Sequence, residues 1–176
     1  MIGYIMAPGR GDTDLALAAL AKHLTARGLR VCGVVQINTE REKNGACDMD
    51  VQVLSTGKIL RISQDLGPQS RGCRLDISAL ETAVAQVAVQ LAQGADVLII
   101  NKFGKHEAQG RGFRDIIAEA VMCDIPVVVG LNSLNKPAFD TFTDGAATKI
   151  GNSQAALKNW IDECLMQADP FDNVCL

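Results

Sequence analysis
Apolar positions along this chain fall into short blocks that alternate between two spacings. Residues 2–6 form a compact apolar run, the pattern of a buried strand. Residues 13–27 then place Leu15, Leu17, Leu20 and Leu24 among alanines, which predicts an amphipathic helix. Asp12 or Thr13 stands where an N-cap belongs, and Gly28 where a helix stops. Residues 30–37 read as a second buried strand and the polar stretch 38–48 as a loop. Two short alternating runs, 49–54 and 58–63, flank Ser55-Thr56-Gly57 and predict a β-hairpin. Residues 64–75 are rich in Gly, Pro, Arg and Gln and read as loop. Asp76 caps a helix that runs to about residue 93, where Gly94 ends it. The most strand-like run is Asp96–Asn101, followed by a loop at 102–112 and a helix at about 113–123. Residues 126–131 predict another buried strand. A short segment near 137–142, an edge strand near 146–150 and a helix at about 153–167 complete the pattern.

Strands that alternate with helices imply an α/β fold, a mostly parallel sheet with helices on both faces. The hairpin is a small addition to it. No linker or repeat divides the chain, so residues 1–167 read as one domain and 168–176 as a C-terminal tail. In such sheets ligands lie beyond the carboxyl ends of the strands. Loops 7–12, 37–48 and 101–112 occupy those ends and are expected to be neighbours.

Composition narrows the classes of function. The chain has 176 residues and is 48% hydrophobic, enough for one real core. No apolar run approaches the ~18–20 residues of a membrane span, and no signal peptide is readable. A cytoplasmic protein is therefore expected, with no membrane partner. Net charge is −3 and aromatics are 4%, which argues against nucleic acid as a partner. Six cysteines lack Cys-x-x-Cys spacing, so no metal site is predicted and reduced thiols are the default. Cys32 and Cys123 look like small buried hydrophobes, whereas Cys73 lies among Gly and Arg.

The candidate chemistry begins at the first turn. Pro8-Gly9-Arg10-Gly11-Asp12-Thr13 joins an apolar strand to a helix, the frame of a Walker A phosphate loop. Backbone N–H groups and the helix dipole favour an anion there, and Arg10 adds an oxyanion-binding fork. Where Gly-Lys-Thr would open the helix, this chain has Gly11-Asp12-Thr13. The lysine is an aspartate, which as an N-cap would compete with an anion for the same N–H groups. A tight turn without a ligand is the alternative. The strand at 96–101 ends in Asn101-Lys102, where a Walker B strand ends in acids that hold Mg²⁺. Asp12 and Lys102 are expected to face each other as a charge swap. In the following loop Lys105 and Arg111 are candidate oxyanion contacts, and Gly104, Gly110 and Gly112 let backbone approach a ligand. Glu107 is a candidate general base or the partner of an arginine, and His106 a second candidate base. Arg74, in Gly72-Cys73-Arg74-Leu75-Asp76, either reaches the site or pairs with an acid.

These segments resemble small P-loop nucleoside-triphosphatases and the nucleotide-binding B protein of molybdopterin-guanine-dinucleotide synthesis. The resemblance is carried by the first strand-loop-helix and by Asp96 to Leu131. The chain is most similar to a bacterial family designated only as a domain of unknown function. Its marks here are Gly-Cys-Arg-Leu-Asp at 72–76 and Asn-x-Phe-Gly-Lys-x-Glu-x-x-Gly-Arg-Gly at 101–112. The resemblance implies a degenerate P-loop site for a small anionic ligand, a nucleotide or an oxyanion such as molybdate or tungstate. It also implies a link to molybdenum or molybdenum-cofactor metabolism. Slow nucleotide hydrolysis and a protein-interaction scaffold are the other expectations. The apolar faces of so small a chain allow a homodimer or higher homo-oligomer, although no interface is readable.

Overall fold
The computed structural model describes residues 1–39, 48–64 and 75–167. Among them one sheet runs through seven strands, and six helices cover it. The strands are β1 (Ile2–Ile5), β2 (Val31–Thr39), β3 (Asp48–Val53), β4 (Ile59–Arg61), β5 (Val97–Ile100), β6 (Val127–Gly130) and β7 (Thr148–Lys149). The helices are α1 (Asp12–Ala26), α2 (Ile77–Ala92), α3 (Lys105–Ala108), α4 (Arg114–Met122), α5 (Lys136–Thr143) and α6 (Gln154–Gln167). The order across the sheet is β4-β3-β2-β5-β6-β1-β7. The five strands from β2 to β7 are parallel, and β3 and β4 add to the β2 edge antiparallel.

The two-residue period of the strands divides the core. Leu98 and Ile100 of β5 face α2, α4 and α5 in one apolar layer. Val97 and Ile99 face α1 and α6 in the other. Because both faces are covered, β1, β5 and β6 are buried at every position, hence their unbroken apolar runs. Leu17, Leu20 and Leu24 of α1 are fully buried at helical spacing, whereas Leu15 points outward. Asp76 caps α2 as expected, its carboxylate accepting from the Ala79 N–H at 3.0 Å.

Several expectations change. The loop at 102–112 contains the short helix α3, and the segment near 137–142 is α5, with Pro137 in its first turn. Proline's fixed φ suits that place. The N-cap of α1 is Gly11 at φ 85°, so Asp12 and Thr13 are its first helical residues. Cys123 is half-buried and disulfide-bonded, which corrects the expectation of reduced thiols at that position. Cys32 and Cys164 are free and buried, and burial pushes each thiol up to about 11. The expected loop at 64–75 and the tail at 168–176 lie almost wholly outside the described residues.

One glycine sets the distance between the phosphate-type loop and β5. β6 lies between β1 and β5, and Gly130 at its end sits against both Asn101 and Thr13. A Cβ there would overlap the Asn101 carbonyl oxygen and come within 2.8 Å of Thr13 Cγ2. Gly130→Ala is expected to destabilise the fold by about 1–3 kcal/mol, as overpacking does. In a thermal melt this is a fall of several degrees, and an unchanged midpoint would show that the backbone has room there.

Candidate functional site
At the end of β5 the chain turns sharply outward. Phe103 is fully buried beneath the turn, edge-on to Phe139 at 5.1 Å and stacked on Phe142 at 5.6 Å. Its N–H donates to the Gly130 carbonyl at 2.9 Å. With Asn101 and Phe103 both drawn inward, Lys102 between them is left exposed.

Asn101 is 3% exposed and joins three elements. Its Nδ2 donates to Asp14 Oδ1 of α1 at 2.8 Å. Its Oδ1 accepts from the Gln36 N–H of β2 at 2.9 Å. A buried carboxylate needs donors of this kind to remain charged. Asp14 stands one residue after the Thr13 hydroxyl of the helix start, and sequence reading overlooked it. The signal was available, since Asn101 occupies the position of an acid and a polar residue faces it from α1.

Two N–H groups of the first loop are met from within. The Gly9 N–H donates to Asp12 Oδ2 at 3.1 Å, and the Ala7 N–H donates to Thr13 Oγ1 at 3.2 Å. Asp12 thus does compete for the loop's N–H groups, although as a first-turn residue and not as the N-cap. No ion pair joins it to Lys102 among the described residues, so the expected charge swap is not formed.

Two clefts run along the carboxyl edge of the sheet, and Lys102 lines both. The first is about 660 Å³ and brings Gly9, Arg10, Gly11 and Thr13 together with Lys102, Asp14, Asn132 and Asn152. Arg10 and Lys102 have no acidic partner among the described residues. Asp14 is the one carboxylate in this lining, and Asn101 already binds one of its oxygens. The second cleft is about 240 Å³, lies on the α2 side and takes in Lys105, His106 and Glu107. Arg111 lines neither; it borders a separate hollow with Glu81, Gly112 and Asp115. Arg74 lies outside the described residues.

The candidate bases are both engaged. Glu107 Oε2 accepts from the Gly104 N–H at 2.9 Å, and its Oε1 accepts from the Phe113 N–H at 3.3 Å. A Cβ on Gly112 would overlap that oxygen, so the loop closes tightly over the carboxylate. Glu107 therefore braces the loop. Arg114 donates to its backbone carbonyl at 3.5 Å, not to its carboxylate. His106 is buried, with Nε2 2.8 Å from Glu81 Oε1 of α2, and Glu81 also accepts from the Gly112 N–H. This pair ties α3 to α2.

The chain belongs to the family described as a protein of unknown function, DUF2478, which matches residues 2–160. It is also 34% identical over 159 residues to the molybdenum import ATP-binding protein ModC 2 of Bradyrhizobium diazoefficiens. That match takes in 90% of this chain but 18% of the relative's length. The mostly parallel α/β sheet is consistent with a P-loop nucleoside-triphosphatase-like fold. No solved structure matches. No helix among the described residues is long and apolar enough to cross a membrane, and no group of three or more His, Cys, Asp or Glu side chains there is placed to hold a metal ion.

The Asn101–Asp14 contact makes the Walker B departure testable. Asn101→Asp would set two carboxylates against each other in a buried site. The expected cost is about 3 kcal/mol at neutral pH, read by urea denaturation. Adding Asp14→Asn restores the amide-to-carboxylate bond with the roles exchanged, so most of the loss should return. Additive losses in that double-mutant cycle would show the two residues to be uncoupled.

Proposed function
We propose that this protein binds a small anionic ligand, a nucleotide or an oxyanion, in the cleft at the start of α1. The frame is that of a P-loop from which the Mg-ATP machinery has been removed. The observation that carries the reading is that Arg10 and Lys102, without acidic partners among the described residues, line one cleft against a helix N-terminus. The helix dipole and loop amides add to their attraction for an anion. Asp12 then acts as an internal anion on the Gly9 N–H, which a ligand must displace.

The relative's name joins ATP binding to molybdenum import. It supports nucleotides and molybdate as the first ligands to try, with tungstate as the chemical analogue of molybdate, and a protein tied to molybdenum. The same name favours nucleotide hydrolysis as a second reading. Hydrolysis is expected to be slow, because Asn101 stands where a Mg²⁺ carboxylate would be and its amide is spent on Asp14.

Isothermal titration with ATP, GTP, phosphate, molybdate and tungstate tests the proposal. At least one should bind, and Arg10→Ala or Lys102→Ala should weaken it about tenfold, the loss of one charge-assisted contact. Asp12→Ala frees the Gly9 N–H and removes a nearby negative charge, so it should tighten binding several-fold. Failure of all five anions to bind would leave the basic loops as a protein-contact surface, the scaffold reading.

A further inference from the structure
The second cleft has a composition that an inorganic oxyanion does not use. Its walls are apolar, built from Val34, Met49, Val51, Ile62 and Leu80, with Phe113 at the α4 end. Val34 and Val51 come from neighbouring strands, and Leu80 from the helix above them. Polar groups gather on the β5–α3 side, where Lys102 and Lys105 are exposed and His106 and Glu107 are buried. Neither lysine has an acidic partner among the described residues. At about 240 Å³ the space falls just below the ~300 Å³ at which small-molecule pockets begin. It suits one ring system and not a larger body.

Lys102 is what relates this cleft to the first. It lies two residues beyond β5, and it lines both the first cleft and the apolar one. An anionic group held at Lys102 therefore has an apolar chamber beside it, and Lys105 adds a second cation to that chamber's lining. We infer that the ligand is a phosphate ester of a single ring system, with its phosphate at Lys102 and its ring in the cleft between β2, β3 and α2. This rests on the anion-binding reading above and narrows it: a ring phosphate is preferred over a bare oxyanion. The buried Asn101 amide already bonds Asp14 and Gln36. Shape and apolar contact therefore supply most of the ring's recognition.

Phenyl phosphate and inorganic phosphate are the minimal pair of probes, titrated against the whole chain. Phenyl phosphate should bind about tenfold tighter or more, given six further non-hydrogen atoms at the efficiency of small ligands. Its ring should shift the methyl NMR signals of Met49, Val51 and Leu80, while inorganic phosphate leaves them in place. In Met49→Trp, which fills the cleft, the preference should fall to near unity with phosphate affinity unchanged. A thermal melt confirms that this variant folds, and the methyl shifts in the native protein decide the matter if it does not. Equal affinities for the two probes, or unmoved methyls, would overturn the inference and leave the anion site standing. Binding of neither probe would overturn the inference, and the titration with all five anions then decides the anion site.

Discussion
The candidate site hangs on the amide of Asn101, which reaches α1 through one atom and β2 through the other. Its Nδ2 holds the Asp14 carboxylate and its Oδ1 holds the Gln36 N–H, so it fixes the start of α1 relative to two strands. An amide can donate and accept together, and a carboxylate can only accept. With Asp14 buried opposite, an acid at position 101 would bring two negative charges into one dry space. The absence of the Walker B acid and the presence of a carboxylate in the first turn of α1 are thus one physical arrangement.

The same logic governs the first loop. Its glycine-bearing turn leaves N–H groups pointing inward, and in a nucleotide hydrolase phosphate oxygens would meet them. Here Asp12 and Thr13 meet two of them, at Gly9 and Ala7. The loop can hold its shape without a ligand, which a loop of unsatisfied amides could not do cheaply. The carboxylate that occupies Gly9 is exposed and has little cost of departure. On the proposed reading, an anion that also meets Arg10 and Lys102 replaces it, and Asp12 sets a threshold on what is bound.

Much of this architecture was legible because burial on both faces writes itself into sequence. The runs at β1, β5 and β6 and the leucine spacing of α1 carry the sheet and its covering helices. Asp76 and Gly94 marked the ends of α2 by capping chemistry that acts within a few residues. The short helix α3 was missed because four residues cannot show a period. The roles of the charged side chains were read less well, for a single reason: they depend on distances across the sheet. Glu107 read as a general base or the partner of an arginine, yet its oxygens face the Gly104 and Phe113 amides, which its own loop folds over it. Lys102 and Asp12 looked like partners, yet each points elsewhere. Lys105 and Arg111, six residues apart in one loop, line different hollows because α3 turns the chain between them.

The position of Lys102 follows from packing as much as from its charge. A lysine at the end of a central strand could lie along the sheet edge or fold over its neighbours. Phe103 removes that freedom, since its ring is locked between Phe139 and Phe142 and its N–H is bound to Gly130. Asn101 anchors the chain on the other side. The residue between two inward anchors must project outward, at the carboxyl edge where both clefts open. Gly130 then allows the α1 loop to approach the same point, so that a cation from β5 and one from the loop share a cleft although their strands are not adjacent. The charges at this edge are thus placed by the core, while the apolar walls of the second cleft lie on the α2 side.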